Sequence, residues 1–116
     1  MTQPKYENKV ALVTGGGTGI GRAVSLALAA SSAHVAVNYS RSAKDAEATV
    51  KDMAALGASG FAVQADVTDD AAVRAMVQEV IRRFGRLDHL VNCAGTTVYV
   101  SLDDLEGLKP EHWDQI

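Results

Sequence analysis

The chain has 116 residues, of which 47% are hydrophobic and 22% are charged, and its mean hydropathy is +0.02. This composition is typical of a soluble globular protein and argues against a disordered or membrane-spanning chain. The formal net charge of −3 and the isoelectric point of about 5.5 argue against a general electrostatic affinity for nucleic acid or anionic lipid.

The cysteine count and the amino-terminal sequence indicate in which cellular compartment the protein is expected. The chain has one cysteine, Cys93, which excludes an intramolecular disulfide framework and a cysteine-rich zinc site. The polar amino terminus has no signal-peptide pattern, and no apolar run approaches the length that spans a membrane. We therefore expect a cytoplasmic protein in a reducing environment.

Short apolar runs alternate with helical patterns along the chain. Residues Val10–Thr14 form an uninterrupted apolar run, which predicts a strand buried on both faces. A helix is predicted over Gly19–Ala30, followed by a second strand over His34–Tyr39. Ser42 and Asp45 have the spacing of a capping box, which predicts the start of a second helix.

The second half repeats this alternation. Gly57 is a natural stop for the second helix, and Gly85 for the third. The third helix opens at Thr68 or Asp69 and has the most regular apolar periodicity of the chain. The third and fourth strands are predicted over residues 60–65 and 88–93.

Strands that alternate with helices through short links pair in parallel, and right-handed crossovers join them. The predicted fold is therefore a Rossmann-like, doubly wound α/β sheet of about four strands in the order 3-2-1-4, with three main helices. We expect residues 1–116 to be the N-terminal, incomplete part of one such domain, with the fourth strand as an uncovered edge.

A glycine-rich segment, TGGGTGIG at residues 14–21, joins the first strand to the first helix. Glycines allow a sharp turn and a close approach of a phosphate, and the helix N-terminus presents free N–H groups to that anion. The segment is no Walker loop, because Arg22 and Ala23 follow Gly21 where Lys and Ser or Thr would be required. Its place between a strand and a helix favours phosphate binding over a simple flexible cap.

These residues resemble the short-chain dehydrogenase/reductase family, whose cofactor signature is TGxxxGIG. Asp66-Val67 resembles the pair that contacts the adenine ring in this family, and 92–95 (NCAG) resembles the family's Asn-Asn-Ala-Gly, with Cys93 as a departure. The resemblance is strongest to 3-oxoacyl reductases and glucose dehydrogenase-like members, and covers the whole chain. Asp66 could alternatively be a helix-capping acid, and Asn92 a turn former.

The resemblance implies a nicotinamide dinucleotide site in four parts. The pyrophosphate would lie against the glycine loop, the ribose or its 2′-phosphate against the end of strand two, and the adenine against the end of strand three. The segment after strand four would support the nicotinamide-side ribose. The implied residues are Gly15, Thr18, Gly19, Ile20, Gly21, Tyr39, Ser40, Arg41, Asp66, Val67, Asn92, Ala94 and Gly95.

The end of strand two bears on the choice of cofactor. An acid at that point accepts hydrogen bonds from the ribose hydroxyls and selects NAD, but residues 38–42 (NYSRS) contain none. Arg41 can pair with a phosphate dianion, and the hydroxyls of Ser40 and Ser42 can donate to it. We therefore favour NADP(H) over NAD(H). Arg22, in the first turn of a helix, is either a further anion contact or a solvated side chain.

The catalytic part of the family pattern is missing. The family uses a Tyr-x-x-x-Lys pair, but the residues four positions after Tyr6, Tyr39 and Tyr99 are Val, Ala and Asp. We therefore expect an oxidoreductase of carbonyl and alcohol groups whose cofactor-binding half alone is inactive, and whose complete form is a homo-oligomer. The alternative is a non-catalytic dinucleotide-binding or interaction module that a partner chain completes.

Overall fold

The computed structural model describes residues 6–94, which form a single parallel sheet covered on both faces by helices. The sheet has the order β3-β2-β1-β4, and every pair of neighbouring strands is parallel. This arrangement confirms the predicted doubly wound fold. The elements are β1 (Val10–Thr14), α1 (Gly19–Ala30), β2 (His34–Tyr39), α2 (Ala43–Ala55), β3 (Gly60–Gln64), α3 (Asp70–Phe84) and β4 (His89–Asn92).

The core consists of two apolar layers, one on each face of the sheet. Val10 and Leu12 of β1 belong to the layer that α3 covers with Met76 and Val80. The opposite face holds a second layer, in which strand residues meet α1 and α2; its buried members are Val13, Ala29, Ala33, Val35, Val37, Ala46 and Met53. As β1 contributes to both layers, all five of its residues are buried, as a central parallel strand requires.

The helix ends follow the predicted chemistry in one case and depart from it in another. Asp69 caps α3, because its carboxylate accepts a hydrogen bond from the Ala72 N–H at 3.3 Å. Gly85 ends that helix with a left-handed φ of 81°. The capping box of α2 was a wrong prediction, since the Ser42 side chain makes no capping hydrogen bond although Ser42 occupies the N-cap position.

Among the described residues, the fourth strand forms one of the two edges of the sheet, and β3 forms the other. β4 is one residue shorter at each end than residues 88–93, and Leu90 remains 55% exposed. Its start is fixed to β1 by Asp88, whose carboxylate accepts the Val10 N–H at 2.8 Å and pairs with Arg86 at 2.6 Å. The Arg86 guanidinium, followed by the Val10 N–H, lowers the pKa of Asp88 below its usual value.

Candidate functional site

The carboxyl ends of the strands open into a cleft of about 910 Å³. The cleft lies beside β1, where the strand order reverses: β2 and β3 are added on one side of β1 and β4 on the other, and ligands usually bind at this position in open α/β sheets. Its lining comes from the glycine loop and from the segments that follow β2, β3 and β4. The lining residues are Gly15, Gly17, Thr18, Ile20, Gly21, Asn38, Tyr39, Ser40, Arg41, Ser42, Ala65, Asp66, Val67, Thr68, Cys93 and Ala94.

Two glycines let the loop lie directly against neighbouring backbone. A Cβ on Gly15 would lie 2.9 Å from the Cα of Ala94, and Gly15 has a φ of +61° that L side chains rarely adopt. A Cβ on Gly17 would lie 2.8 Å from the Cα of Ala46 in α2. The loop is thus packed between the segment after β4 and the second helix, and it leaves no room for side chains at these positions.

The N-terminus of α1 lines the cleft, and neither a capping side chain nor an acidic residue of the first turn offsets its backbone N–H groups. Thr18 is the N-cap residue in an extended conformation, but its side chain makes no capping hydrogen bond. The first turn of α1 contains no acidic residue. The free N–H groups and the positive end of the helix dipole are therefore available to an anion.

Arg22, at the end of that first turn, is held by α2. Its guanidinium donates to the Thr49 hydroxyl at 2.9 Å and forms an ion pair with Asp52. Thr49 is fully buried, and its own hydroxyl lies 3.1 Å from the Gly17 carbonyl oxygen. The charged partner of Arg22 is thus a protein carboxylate, although the side chain remains 37% exposed, and the contacts of Arg22 join both helices to the loop.

The hydroxyl of Thr14 fixes the segment that follows β4. Thr14 is 5% exposed, and its Oγ1 accepts the N–H groups of Cys93 and Ala94 at 3.1 and 3.2 Å. The same hydroxyl donates to the Val91 carbonyl oxygen at 3.4 Å. The last residue of β1 therefore sets the path of the chain along the nicotinamide side of the predicted site.

Asn38, the penultimate residue of β2, turns its side chain inward and is 2% exposed. Its Oδ1 accepts the Gly15 N–H at 3.2 Å, and its main-chain oxygen accepts the Gly16 N–H at 3.0 Å. Its Nδ2 lies within donating distance of the carbonyl oxygens of Val63 and Ala65, at 3.3 and 3.1 Å. One side chain thus contacts both the glycine loop and the segment after β3.

Arg41 lines the cleft and has no carboxylate within ion-pair distance among residues 6–94. The five other arginines within residues 6–94 each form an ion pair, and their partners are Asp52, Asp70, Glu79 and Asp88. Arg41 has neither an ion pair nor a side-chain hydrogen bond in that part of the chain. Next to it, the Ser42 hydroxyl is not used for capping, so two donors line the cleft without an acceptor from the described part of the protein.

Asp66 adopts a turn rather than capping α3. Its Oδ1 accepts from the Thr68 hydroxyl at 2.7 Å and from the Thr68 N–H at 2.9 Å. The hydrogen bond from the Thr68 hydroxyl is the main reason that the pKa of Asp66 is lowered, and the positive charge of Arg41 acts in the same direction. Asp66 is therefore ionised at neutral pH, and the cap of α3 belongs to Asp69 instead.

Two apolar side chains of the lining are exposed. Ile20, in the first turn of α1, is 79% exposed, and Val67 is 43% exposed. An aliphatic side chain held in water at a cleft is a favourable contact for a ring or a ribose, because the ligand removes its apolar surface from solvent. Their exposure fits a cleft that is shaped for an organic ligand as well as for phosphate.

The structure gathers ten of the thirteen predicted site residues around this one cleft, although their binding roles remain predictions. Gly19 lines a neighbouring depression of about 380 Å³ that it shares with Arg22 and Asp52. Asn92 is exposed at the end of β4 and pairs in register with Thr14, outside the cleft lining. Gly95 lies outside the described residues.

Sequence reasoning overlooked three residues that hold the site together, namely Thr14, Asn38 and Thr49. Each one carried a signal, because each is a polar residue within an otherwise apolar strand or helix face. Polar residues of this kind are normally buried with hydrogen-bond partners. Their presence in a predicted core therefore indicates nearby backbone groups to which their side chains bond.

Other site classes find no support in the described part of the chain. Residues 6–94 contain no group of three or more His, Cys, Asp or Glu side chains placed to hold a metal ion. No helix within this range has the length and apolarity needed to cross a bilayer. Cys93 is a free thiol that is partly buried beside the second apolar layer.

Comparisons with known proteins identify the family. The profile described as "short chain dehydrogenase" matches residues 9–116. The short-chain dehydrogenase/reductase homolog YusS of Bacillus subtilis is 52% identical over 99 residues, which are 85% of this chain and 91% of YusS. The 3-oxoacyl-[acyl-carrier-protein] reductase FabG of Staphylococcus aureus is 47% identical over 109 residues, or 93% of this chain and 43% of FabG.

Solved structures agree with this assignment. A short-chain dehydrogenase from Burkholderia cenocepacia in complex with NADP is 46% identical and superposes with a TM-score of 0.84, over 96% of this chain and 44% of that one. The chain thus spans less than half the length of FabG and of this solved relative. With a family profile over nearly its whole length and a relative matched over most of both chains, it belongs to the short-chain dehydrogenase family.

Proposed function

We propose that the cleft binds a nicotinamide dinucleotide and that it prefers NADP(H) to NAD(H). The observation that carries this proposal is Arg41, the one arginine of residues 6–94 with no carboxylate partner, which faces the cleft beside the uncommitted hydroxyl of Ser42. A guanidinium and a hydroxyl so placed suit a phosphate dianion on the adenosine ribose. The NADP bound to the Burkholderia relative supports the same choice.

We propose positions for the remaining parts of the cofactor from the family resemblance, and the cleft lining supports those residues that it includes. Its pyrophosphate is assigned to the glycine loop, with Gly15, Thr18, Gly19, Ile20 and Gly21 around the open N-terminus of α1. Its adenosine ribose is assigned to Tyr39, Ser40 and Arg41, and its adenine to Asp66 and Val67. Its nicotinamide-side ribose is assigned to Asn92, Ala94 and Gly95.

Substitution of Arg41 tests the cofactor preference. Calorimetric titration of Arg41→Ala should show an NADPH affinity lower by roughly tenfold or more, since a charge-assisted phosphate contact is lost. The NADH affinity should change by less than about threefold, because NADH has no 2′-phosphate. Arg74→Ala, which removes an exposed arginine of α3, is the matched control and should leave both affinities unchanged. The preference is refuted by unaltered NADPH binding in Arg41→Ala together with equal NADH binding.

We further propose that the complete protein exchanges hydride between the nicotinamide ring and a small carbonyl or alcohol, as a reductase of ketone or 3-oxoacyl groups. The identity to FabG supports this branch. As no Tyr-x-x-x-Lys pair occurs in the chain, the 116-residue polypeptide should bind NADPH without oxidising it in the presence of a ketone panel. Measurable turnover would contradict the inferred incompleteness of the domain.

One observation favours a second candidate, a dinucleotide-binding or interaction module that a partner chain completes. YusS is matched over 91% of its own length, so a relative of similar extent exists beside the longer reductases. Sequencing the gene beyond the codon for Ile116 separates the two proposals. An in-frame Tyr-x-x-x-Lys favours the oxidoreductase, whereas a stop codon together with NADPH binding favours the module.

The proposal also includes the cellular location, the binding partners and the oligomeric state of the protein. The single free thiol and the use of a reduced cofactor support a cytoplasmic location. The net charge of −3 supports a lack of affinity for nucleic acid and for anionic membranes. A homo-oligomer is proposed for the complete protein, and light scattering of the full-length form would measure it.

A further inference from the structure

The two sides of the cleft are connected through a single side chain. The glycine loop follows β1 and the adenine-side segment follows β3, and these strands are not neighbours, because β2 lies between them. Asn38 at the end of β2 reaches both: Oδ1 accepts the Gly15 N–H on one side, and Nδ2 faces the Ala65 carbonyl oxygen on the other.

The orientation of the Asn38 amide follows from its partners. The group facing Oδ1 is a backbone donor, whereas those facing Nδ2 are carbonyl oxygens of Val63 and Ala65. The Tyr39 carbonyl oxygen also lies 3.4 Å from Nδ2. Turning the amide over would place a donor against the Gly15 N–H and an oxygen against these carbonyl oxygens, so only one orientation is compatible with all four contacts. The side chain is 2% exposed, so water cannot replace these hydrogen bonds.

We propose that Asn38 is a positioning residue that sets the separation between the glycine loop and the adenine-side segment. This inference rests on the proposed function, because it concerns a ligand that touches both sides at once. A dinucleotide gains affinity when its two binding segments are already held at the right spacing. A ligand that touches only the adenine side depends far less on that spacing.

The variant Asn38→Asp tests this role with almost no change in shape. The ionised carboxylate of this variant would keep the contact with the Gly15 N–H but turn its other oxygen toward the Val63 and Ala65 carbonyl oxygens. Protonation of that carboxylate would restore one donor, so the defect should diminish as the pH falls. Gln78→Glu, the same amide-to-acid change at an exposed position on α3, is the control for added charge.

Calorimetry with two ligands provides the first readout. NADPH contacts both sides of the cleft, whereas adenosine 2′-monophosphate is confined to the adenine side. At pH 8, Asn38→Asp should bind NADPH about tenfold or more weakly, with less than about threefold change for adenosine 2′-monophosphate. The NADPH deficit should shrink toward pH 5, and Gln78→Glu should show neither effect. Equal losses for both ligands, or no loss, would overturn the proposal.

Amide hydrogen exchange on the ligand-free protein provides the second readout and does not depend on the proposed function. Asn38→Asp should accelerate exchange at Gly15 and Ala65 together, while the Leu12 amide in the middle of β1 remains protected. Acceleration at only one of the two segments would contradict the coupling. If Asn38→Asp does not fold, Asn38→Ser retains a small polar group and should show the same paired acceleration. Failure of the unaltered chain to bind NADPH would overturn the proposed function alone, leaving the exchange result to decide the role of Asn38.

Discussion

A Cβ atom placed on Gly21 would lie 1.9 Å from the carbonyl oxygen of Gly15. The first turn of α1 therefore rests directly on the turn that begins the glycine loop, with backbone against backbone. Neither atom belongs to a flexible side chain, so the contact cannot be relieved by a change of rotamer. This contact explains why glycine is needed in the first turn of the helix, although glycine in a helix otherwise costs stability.

Gly21→Ala should consequently destabilise the protein by at least about 2 kcal/mol, through displacement of the helix from the loop. Gly57→Ala is the matched control, since a Cβ there meets nothing within 4 Å, although its φ is +84°. That variant should lose about 1 kcal/mol from backbone conformation alone. Urea denaturation followed by circular dichroism measures both, and similar losses for the two variants would show that the close contact is unimportant.

Thr14→Val should free the segment after β4 while preserving the shape of the side chain. The N–H groups of Cys93 and Ala94 lose their shared acceptor, so the exposed Ala94 amide should lose protection, whereas the Cys93 amide keeps the Thr14 main-chain oxygen as an acceptor. Thr14→Ser retains the hydroxyl and should retain protection of both amides. Hydrogen exchange at these two amides is the measurement, and unchanged protection in Thr14→Val would indicate that the main-chain hydrogen bond from Cys93 to Thr14 suffices.

Acid should weaken the fold partly through Asp88. The Arg86 guanidinium and the Val10 N–H lower the pKa of Asp88 in the folded chain, whereas the unfolded value is about 3.9. Its contribution is therefore fully present above the unfolded pKa and is lost as the pH falls through the folded pKa. Glu79, whose pKa the hydrogen bonds from Arg82 and Arg83 lower to about 2, adds to the same trend.

Urea unfolding of Asp88→Asn between pH 7 and pH 3 measures the Asp88 contribution. The variant should be less stable than the natural chain at pH 7, and the difference should narrow toward pH 3. Asp70→Asn, which removes a carboxylate from an exposed ion pair on α3, is the control and should alter stability only slightly. A constant difference across the pH range would exclude titration of Asp88 as its cause.

Arg22→Gln should leave cofactor affinity nearly intact, in contrast to Arg41→Ala. The guanidinium of Arg22 is engaged by Asp52 and Thr49, so its loss removes an exposed ion pair worth less than about 1 kcal/mol. The NADPH dissociation constant should change by less than about threefold. A loss comparable to that of Arg41→Ala would show that Arg22 leaves Asp52 to contact the pyrophosphate.

The sheet was predictable because its signals are local. Val10–Thr14 is apolar at nearly every position, and the glycine cluster marks where that strand must turn into a helix. The order 3-2-1-4 is that of the doubly wound fold, and the handedness of the crossover connections then decides on which face each helix packs, so neither prediction needed knowledge of side-chain contacts. The predicted boundaries needed little or no adjustment, because Gly85 and similar stop signals lie close in sequence to the elements they end.

The partners of the site residues were not predictable in the same way. Arg22 meets Asp52 from a helix that lies 30 residues further along, and no local rule selects that carboxylate over another. Asn38 lies at a strand end, where its side chain could face either layer until the register with β3 is known. Ser42 is a residue type that commonly caps helices, but it has φ −92° and ψ 63° rather than an extended N-cap conformation, and its side chain makes no capping hydrogen bond.

The central place of β1 has a consequence for the order in which the chain can assemble. One edge of β1 pairs with β2, which follows after a single helix, and the other edge pairs with β4. The hydrogen bond between the Val10 N–H and the Asp88 carboxylate joins residues 78 positions apart. On the ribosome, β1, β2 and β3 can therefore associate while β4 has yet to emerge. One edge of β1 is completed only when residues 89–92 arrive, and we expect the pairing of strands so far apart in sequence to be a slow, entropically costly step of folding.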